Sequence, residues 1–360
     1  MADRDNFERA RDLVMRYGWN TTCFQIVNPG IEYWFGDDGE SVVGFVSTKK
    51  ARVVAGAPVC PGKDLMRVVA DFEADSASVN KSVCYFGAEG RLDKLHHYSK
   101  THSSVLLGAQ PVWKPESWTQ VISQNSSIRA QINRAKNKGV VVTEWTRERA
   151  HNNPDLRDCL ESWFSLKGLP PLHFVIEPET LERLENRRIF VAESGSRIEA
   201  FLVLSPIPTR SGWLTEQFPH RRGAPNGTVE LMMDSAIRSI AADGSEYITL
   251  GLSPLSKRAK IEPFDNPLWL RVLLAWMRKH GQRFYNFEGL DRFKSKLMPN
   301  HWEPVFAISN EPEFSGKTMW AIAQAFTENK PFRVITDGLV KAVSTEMQTF
   351  RRWITHRSNS

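Results

Sequence analysis

Several features of membrane-spanning and secreted proteins are missing from this sequence. No apolar run approaches the about 18–20 residues of a membrane-spanning helix, and the charged segment 1–6 is not followed by the apolar core of a signal peptide. Only four cysteines are present. They form no C-x-x-C pair and have no histidine at zinc-site spacing. The adjacent His96 and His97 would face different directions on a helix. We therefore expect a cytoplasmic protein with free thiols and no bound metal.

Long polar tracts are also missing, and 12 tryptophans and 20 phenylalanines exclude disorder as the main state. A chain of 360 residues with 41% hydrophobic residues can bury a large core and predicts two domains. Lysine and arginine exceed aspartate and glutamate by 47 − 41 = 6. The excess is concentrated in two places, 126–143, which contains no acidic residue, and 330–357. Such patches favour an anionic partner, either a nucleic acid or a lipid surface.

The first half alternates short strands and helices. An amphipathic helix is followed by three short strands, then by helix, strand, helix and strand, which indicates an α/β fold with a mixed sheet. The predicted elements are strands at Glu32–Phe35, Ser41–Ser47, Ala51–Ala55, Ser82–Phe86 and Val105–Gly108, with helices at about Lys63–Ala74 and Gly90–Tyr98.

The second half repeats this plan. The hairpin sequence Tyr33–Val46 resembles Phe190–Val203, and Val83–Asp93 resembles Phe284–Phe293 in the same order along the chain. We therefore predict two copies of one α/β unit, at 1–125 and 140–328. A basic helix at 126–139 would join them, and an amphipathic basic helix at 329–360 would follow.

The connecting helix has an apolar stripe of Ile128, Ile132 and Ala135, and Gly139 is a natural stop. Its cationic residues are either a solvated helix face or a site for an anionic partner. The C-terminal helix leaves two alternatives open as well, docking onto the second unit or lying on an anionic membrane. The cations of the connecting helix are Arg129, Arg134, Lys136 and Lys138.

The segment 212–230 has the densest set of reactive side chains. It predicts a strand that ends near Glu216, a loop with Arg221 and Arg222, and a helix from about Gly227 to Ala242. Backbone N–H groups at the helix start and the two arginines would form an anion site, with Glu216 as a base or an ammonium ligand beside it. The alternative is an ordinary capped helix whose Glu216 pairs with a neighbouring arginine.

A second candidate region combines a strand that breaks at Gly251 with a basic helix. Small hydroxylated residues at the end of a strand are common ligand contacts in open α/β sheets. The helix that follows Asn286 places Arg292 and Lys296 on one face, which fits a phosphate or a developing oxyanion. A solvated basic face is the alternative. The hydroxylated residues in question are Ser253 and Ser256.

These residues resemble the C-terminal catalytic domain of phosphatidylglycerol lysyltransferases, the multiple peptide resistance factors or aminoacyl-phosphatidylglycerol synthases. The similarity extends over about 21–308. It implies two tandem acetyltransferase-like (GNAT) units, an aminoacyl-tRNA donor and a lipid hydroxyl acceptor, usually of phosphatidylglycerol. The motifs that carry it are Gly108–Trp113, the basic 129–139 helix, Ala224–Glu230, Thr249–Ser256, Tyr285–Lys296 and Trp302-Glu-Pro.

The resemblance implies roles for individual residues. We expect Glu216, Glu230 and Lys294 to be catalytic, and the connecting-helix cations to bind the tRNA backbone. An anionic phospholipid or the inner face of the cell membrane would be the second partner. The substrate-binding candidates are Arg222, Asn226, Gly227, Ser253, Ser256, Asn286, Arg292 and Lys296.

No cofactor is expected. The loop that grips the pyrophosphate of acetyl-CoA has only a weak counterpart, Arg52–Ala57, which lies on a predicted strand. Full-length relatives of the implied family carry a multi-span membrane domain that this sequence lacks. Two alternatives therefore stay open, an aminoacyl-tRNA-dependent transferase with a small-molecule acceptor, and a non-catalytic module that binds tRNA or membranes.

Overall fold

A computed structural model describes residues 2–96, 99–165, 173–176, 178–259, 266–272 and 287–327. The strands are β1 (Glu32–Phe35), β2 (Val42–Ser47), β3 (Ala51–Ala55), β4 (Ser82–Glu89), β5 (Ser103–Trp113), β6 (Val140–Trp145), β7 (Arg188–Ser194), β8 (Arg197–Ile207), β9 (Gly212–Thr215), β10 (Tyr247–Thr249), β11 (Ser253–Pro254) and β12 (His301–Ser309). The helices are α1 (Ala2–Tyr17), α2 (Leu65–Ser78), α3 (Gly90–His96), α4 (Trp118–Gln124), α5 (Ser126–Asn137), α6 (Arg147–Ala150), α7 (Pro154–Ser165), α8 (Thr228–Ala242), α9 (Phe287–Lys296) and α10 (Gly316–Phe326).

The described strands form one 12-stranded mixed sheet in the order β1-β2-β3-β4-β12-β5-β10-β9-β8-β7-β6, with β11 paired to β5. Each half contains three antiparallel strands, then a helix, then a strand parallel to the third: β1-β2-β3-α2-β4 and β7-β8-β9-α8-β10. This repeated plan confirms the predicted α/β class with two acetyltransferase-like units.

The centre of the sheet joins the two halves. Strand β12, which the predicted boundaries assign to the second unit, lies between β4 and β5 of the first. Strand β5 in turn pairs with β10 of the second half. Four consecutive residues of β12, 305–308, are almost fully buried there, so the strand is held by backbone hydrogen bonds and by core packing. The boundaries at 125 and 140 stay a prediction.

Local elements agree with the predictions apart from their ends. Strand β3 has the predicted limits, whereas β5 runs on from the predicted Gly108 to Trp113 because its last residues are buried between β12 and β10. The helix predicted from about Lys63 begins at Leu65, after a 3-10 turn at Gly62–Asp64. The hairpin β7–β8 and the helix after the 212–227 segment are found where they were predicted.

Helices cover both faces of the sheet. Helices α2, α3, α5 and α8 pack on one face, and α1, α7 and α10 pack on the other. The stripe Ile128, Ile132 and Ala135 of α5 is buried against α8, as its spacing predicts. Among the described residues, no helix has the length and apolar character needed to cross a bilayer.

Candidate functional site

A buried lysine binds the backbone of the segment that follows β10. Gly251 has a left-handed backbone (φ +64°) and interrupts the sheet pairing between β10, which ends at Thr249, and β11, which begins at Ser253. The Gly251 and Leu252 carbonyl groups lie in this interruption. The Nζ atom of Lys294 on α9 donates to both of them, at 2.9 Å to the Gly251 oxygen and 2.9 Å to the Leu252 oxygen. Lys294 is only 3% exposed. Burial lowers its pKa from 10.5 to about 7, although the nearby Asp291 carboxylate opposes the shift.

Two more polar groups beside Lys294 have unused hydrogen-bonding capacity. The buried Ser253 hydroxyl and the buried Oδ1 atom of Asp291 have no partner among the described residues. The other oxygen of Asp291 accepts from Arg258 Nε at 2.8 Å, which fixes the carboxylate. Because unpaired buried polar atoms are rare in proteins, this set is a candidate for contact with a ligand.

Lys294 can act on either side of a proton transfer. A neutral amine that donates its two N–H groups to two carbonyl oxygens keeps a lone pair for a substrate hydroxyl. A protonated amine in the same position has a third N–H group for a developing oxyanion. With a pKa of about 7 both forms are populated near neutral pH. The geometry therefore suits acid–base chemistry on an oxygen.

The start of α8 adjoins this region through a second lysine. Lys296 Nζ lies 3.4 Å from a Glu230 carboxylate oxygen, and Asn125, the N-cap of α5, donates to the Lys296 carbonyl at 2.8 Å. Gly227 adopts φ +93° and contacts α5 so closely that a Cβ atom there would overlap the Gln131 carbonyl. The structure thus brings Glu230 and Lys296 together, with Gly227 as the packing contact between α5 and α8.

The other predicted contacts are exposed, apart from the buried Ser256, or lie outside the described residues. Arg222 and Asn226 are exposed in the loop before α8, and Arg292 is exposed on α9 beside Glu288 at 3.5 Å. Ser256 is buried and its hydroxyl accepts from the Arg258 backbone N–H at 3.4 Å. Two predictions, Asn286 and the C-terminal helix 329–360, lie outside the described residues.

Glu216 lies in a separate buried network. Its Oε1 atom accepts from Arg187 Nε at 2.8 Å and from the Ser205 hydroxyl, and Arg187 also donates to Asn28 Oδ1 at 3.0 Å. These partners belong to the face that carries α1 and α7, whereas α8 and α9 pack on the opposite face. The pairing with an arginine that the sequence left open is present. A catalytic role for Glu216 stays a prediction.

Sequence reasoning missed a partly buried charge network at the centre of the sheet. Arg210 donates to Glu89 and, at 3.1 Å, to Glu303, which also accepts from Gln110 at 3.0 Å and Tyr247 at 3.0 Å. Burial raises the pKa of Glu89 despite this pairing. Burial acts in the same direction on Glu303, but Arg210 and the two neutral donors hold its pKa below the ordinary value.

This central network borders an open cavity of about 240 Å³. A signal for it was present in the sequence, because Gln110 and Glu303 lie inside two of the motifs that carry the family resemblance. Their polarity within otherwise buried strands was the clue. The cavity is lined by Glu89, Gly90, Arg91, Lys94, Arg210, Glu303 and Pro304.

The basic face of α5 is at the surface. All four predicted cations, Arg129, Arg134, Lys136 and Lys138, are exposed, and none forms an ion pair with another described residue. Arg129 has a structural contact, because its Nη1 atom donates to the Ile122 carbonyl at 3.0 Å and ties α4 to α5. The other three, Arg134, Lys136 and the C-cap Lys138, are cations at the C-terminal end of the helix that lie on both sides of its buried stripe.

A family model and the similar proteins of known name agree on one family. A family model described as phosphatidylglycerol lysyltransferase, C-terminal, matches residues 11–309. Phosphatidylglycerol lysyltransferase from Staphylococcus xylosus is 18% identical over 336 residues, which are 91% of this chain and 38% of that protein. The Staphylococcus epidermidis protein of the same name is 20% identical over 305 residues, 82% of this chain and 35% of its own length. The chain thus spans under two-fifths of these relatives.

Two solved structures share the fold. The C-terminal domain of a lysylphosphatidylglycerol synthetase from Agrobacterium fabrum superposes with a TM-score of 0.73 at 18% identity, covering 89% of this chain and 96% of that one. The structure of L-PGS from Bacillus licheniformis gives a TM-score of 0.74 at 18% identity and the same coverage. At this identity the similarity establishes the fold.

Proposed function

Since the chain belongs to the family of phosphatidylglycerol lysyltransferase C-terminal domains, we propose that it moves an amino acid from aminoacyl-tRNA to a hydroxyl group of a membrane lipid. Phosphatidylglycerol is the acceptor that the family name favours, and lysine is the first amino acid to test. The observation that carries the proposal is the buried Lys294, held by two carbonyl groups beside the unpaired Ser253 hydroxyl and Asp291 oxygen.

The reaction requires little covalent chemistry from the protein, because the donor is already an activated ester. The acceptor hydroxyl oxygen attacks the ester carbonyl carbon while its proton passes to the neutral Lys294 amine. The tetrahedral intermediate collapses, the bond to the tRNA ribose oxygen breaks, and the protonated amine returns its proton to that oxygen. The net result is transfer of the aminoacyl group with all atoms conserved and no cofactor.

Substrate positioning would supply much of the rate. Holding the two substrates together converts a bimolecular reaction into an effectively unimolecular one. We assign the exposed Arg222 and Arg292 to the phosphates of the substrates, and Glu230 with Lys296 to the fixed wall of the site. The buried, unpaired Ser253 hydroxyl would contact the reacting oxygens.

The α5 surface would hold the tRNA. Exposed cations without acidic neighbours bind a phosphate backbone without reading its sequence. The same helix contacts α8 at Gly227, directly before the segment that carries Glu230. The tRNA would therefore be held beside the proposed transfer site.

The direct test is an assay with purified protein, tRNA charged with radiolabelled lysine, and phosphatidylglycerol liposomes. We expect label in the organic phase, dependent on phosphatidylglycerol and on charged rather than free lysine. Other aminoacyl-tRNAs run in parallel identify the amino acid. Deacylation of the tRNA with label only in the aqueous phase would instead favour a water-soluble acceptor. Intact aminoacyl-tRNA under every condition would contradict transfer and favour a tRNA- or membrane-binding module.

Replacing Arg134, Lys136 and Lys138 by glutamine should weaken tRNA binding and reduce its salt dependence. Each phosphate contact contributes about 0.9 to the slope of log K against log salt, so three lost contacts lower the slope by about 2–3. Arg129 is left in place because it holds α4. Binding measured between low and moderate salt checks the change.

The matched control replaces three exposed cations on another surface, Lys49, Lys50 and Lys317, with glutamine. In this control the slope of log K against log salt should differ from that of the unmodified protein by less than about 0.9, the contribution of one phosphate contact. An equal fall in both variants would mean that the tRNA responds only to net charge, and α5 would not be the binding surface.

A further inference from the structure

A histidine–carboxylate cluster lies away from the proposed transfer site. One nitrogen each of His96 and His102 and a carboxylate oxygen of Glu73 lie within 4.8 Å of one another. The two imidazole rings are stacked, with centroids 3.9 Å apart and planes at 17°. The residues come from α2, from the end of α3 and from the segment that leads into β5. The fold thus brings together three potential ligand residues that share no short sequence motif.

One member of this cluster has an unused ligand atom. His96 Nε2 is buried and has no hydrogen-bond partner among the described residues. Glu73, His96 and His102 are all half-buried, so the cluster lies at the edge of the core. A neutral imidazole carries a lone pair on one ring nitrogen and is the form that binds metal ions.

His102 contacts the Glu73 carboxylate through one ring nitrogen and two hydroxyl groups through the other. Its Nε2 atom lies 3.1 Å from both Glu73 oxygens, and its Nδ1 atom lies 2.8 Å from the Ser99 hydroxyl and 3.1 Å from the Thr101 hydroxyl. The two hydroxyls can donate to Nδ1 or accept from it, and in the tautomer that carries its proton on Nδ1 the Nε2 lone pair faces the carboxylate, where a cation would bind. The Tyr85 hydroxyl donates to Glu73 at 3.1 Å and orients it.

We propose that Glu73, His96 and His102 bind one Zn²⁺ ion. Two imidazoles and a carboxylate are a common ligand set for Zn²⁺, which takes bonds of about 2.0–2.2 Å in tetrahedral geometry. Donor atoms in such a site are separated by about 3.3 Å. The three donor atoms, now within 4.8 Å of one another, would move closer, and the stacked rings would turn until both lone pairs point at the ion. A water molecule would complete the coordination. The ion would tie α2 and the end of α3 to the start of β5.

The test is a Zn²⁺ titration of untagged, metal-stripped full-length protein. We expect one Zn²⁺ per chain and a melting temperature that rises with added Zn²⁺. Co²⁺ in place of Zn²⁺ should give the visible absorption of a tetrahedral site. Removing groups that merely support a metal ligand costs about 10–100-fold in affinity, so Glu73→Gln and His96→Gln should each lose at least about 100-fold.

His151→Gln is the matched control, because His151 is exposed and its ring contacts Asn152. It should bind Zn²⁺ like the unmodified protein. Far-ultraviolet circular dichroism shows whether each ligand variant is folded, and Glu73→Gln keeps the size of the side chain if His96→Gln fails to fold. Absence of saturable binding by the unmodified protein would overturn the proposal. Equal binding by the Glu73→Gln variant would overturn this ligand set.

Discussion

Replacing Lys294 with methionine is expected to lower the rate of aminoacyl transfer by about 10²–10⁴-fold, the range that a positioned acid or base contributes. Methionine keeps most of the volume of the side chain but carries no proton and no N–H donor. The unmodified protein should show a rate that rises with pH through about 7, because the neutral amine of Lys294 takes the hydroxyl proton. Single-turnover transfer at several pH values checks both expectations.

The same lysine should leave a signature in the pH dependence of stability. Burial lowers its pKa from 10.5 in a solvated chain to about 7 in the folded protein. Between these values the unfolded chain binds a proton that the folded protein does not, so its contribution to the unfolding free energy rises with pH. Burial of the protonated Lys294 amine lowers the unfolding free energy by up to about 5 kcal/mol below pH 7. This loss disappears above the pKa of the lysine in the unfolded chain. The methionine variant should lack this contribution.

Lys257→Met is the control for both measurements, since Lys257 is an exposed lysine in the loop that precedes Arg258. It should retain transfer activity and the pH dependence of the unmodified protein. Full activity in the Lys294→Met variant would mean that the transfer site lies elsewhere in the fold. The pH dependence of stability would test the burial of the amine independently of activity.

Replacing Arg210 with methionine should lower the free energy of unfolding more than the other exchanges of a charged side chain for methionine proposed for this protein. Removing one partner of a buried ion pair costs about 3–5 kcal/mol. Arg210 is 24% exposed and pairs with the buried Glu89 (4%) and with Glu303 (26%), so we expect a loss near the lower end of this range. Glu89 lies in β4 and Glu303 in the neighbouring β12, so the lost ion pairs destabilise the region where the two halves are joined. Urea or thermal unfolding at neutral pH measures the loss.

The direction of the pH effect follows from the carboxylates left behind. Without Arg210, burial raises the pKa of Glu89 and Glu303 in the folded protein. The folded variant then binds more protons than the unfolded chain, and its stability falls as pH rises through the ordinary carboxyl range. The difference from the unmodified protein should therefore shrink as the pH is lowered from 7 towards 5.

Two variants test this interpretation. Arg67 also faces several carboxylates but is 46% exposed, and Arg67→Met should cost within about 1 kcal/mol, as exposed ion pairs do. Adding Glu303→Gln to Arg210→Met should recover part of the lost stability because one uncompensated charge is removed. A loss at Arg67 as large as that at Arg210 would contradict an effect of burial.

Much of the candidate site could be predicted from local sequence. Gly251 marked the end of a strand, and the spacing of Arg292, Lys294 and Lys296 marked a basic helix at the right place. What spacing could not give was exposure, because Lys294 is 3% exposed whereas Arg292 is at the surface. The two differ only in which side of α9 meets the loop after β10. That contact depends on how the rest of the fold is assembled.

The sequence by itself determined the repeated strand–helix plan, the buried stripe of α5 and the exposed cations around it, because hydrophobic periodicity encodes which side of an element meets the core. The tertiary structure decided that β12 enters the sheet between β4 and β5, that Glu216 pairs with Arg187, and that Arg210 joins two carboxylates. Each of these contacts links segments far apart in the chain, and their energies depend on burial. Burial is a property of the assembled core, and no local pattern records it.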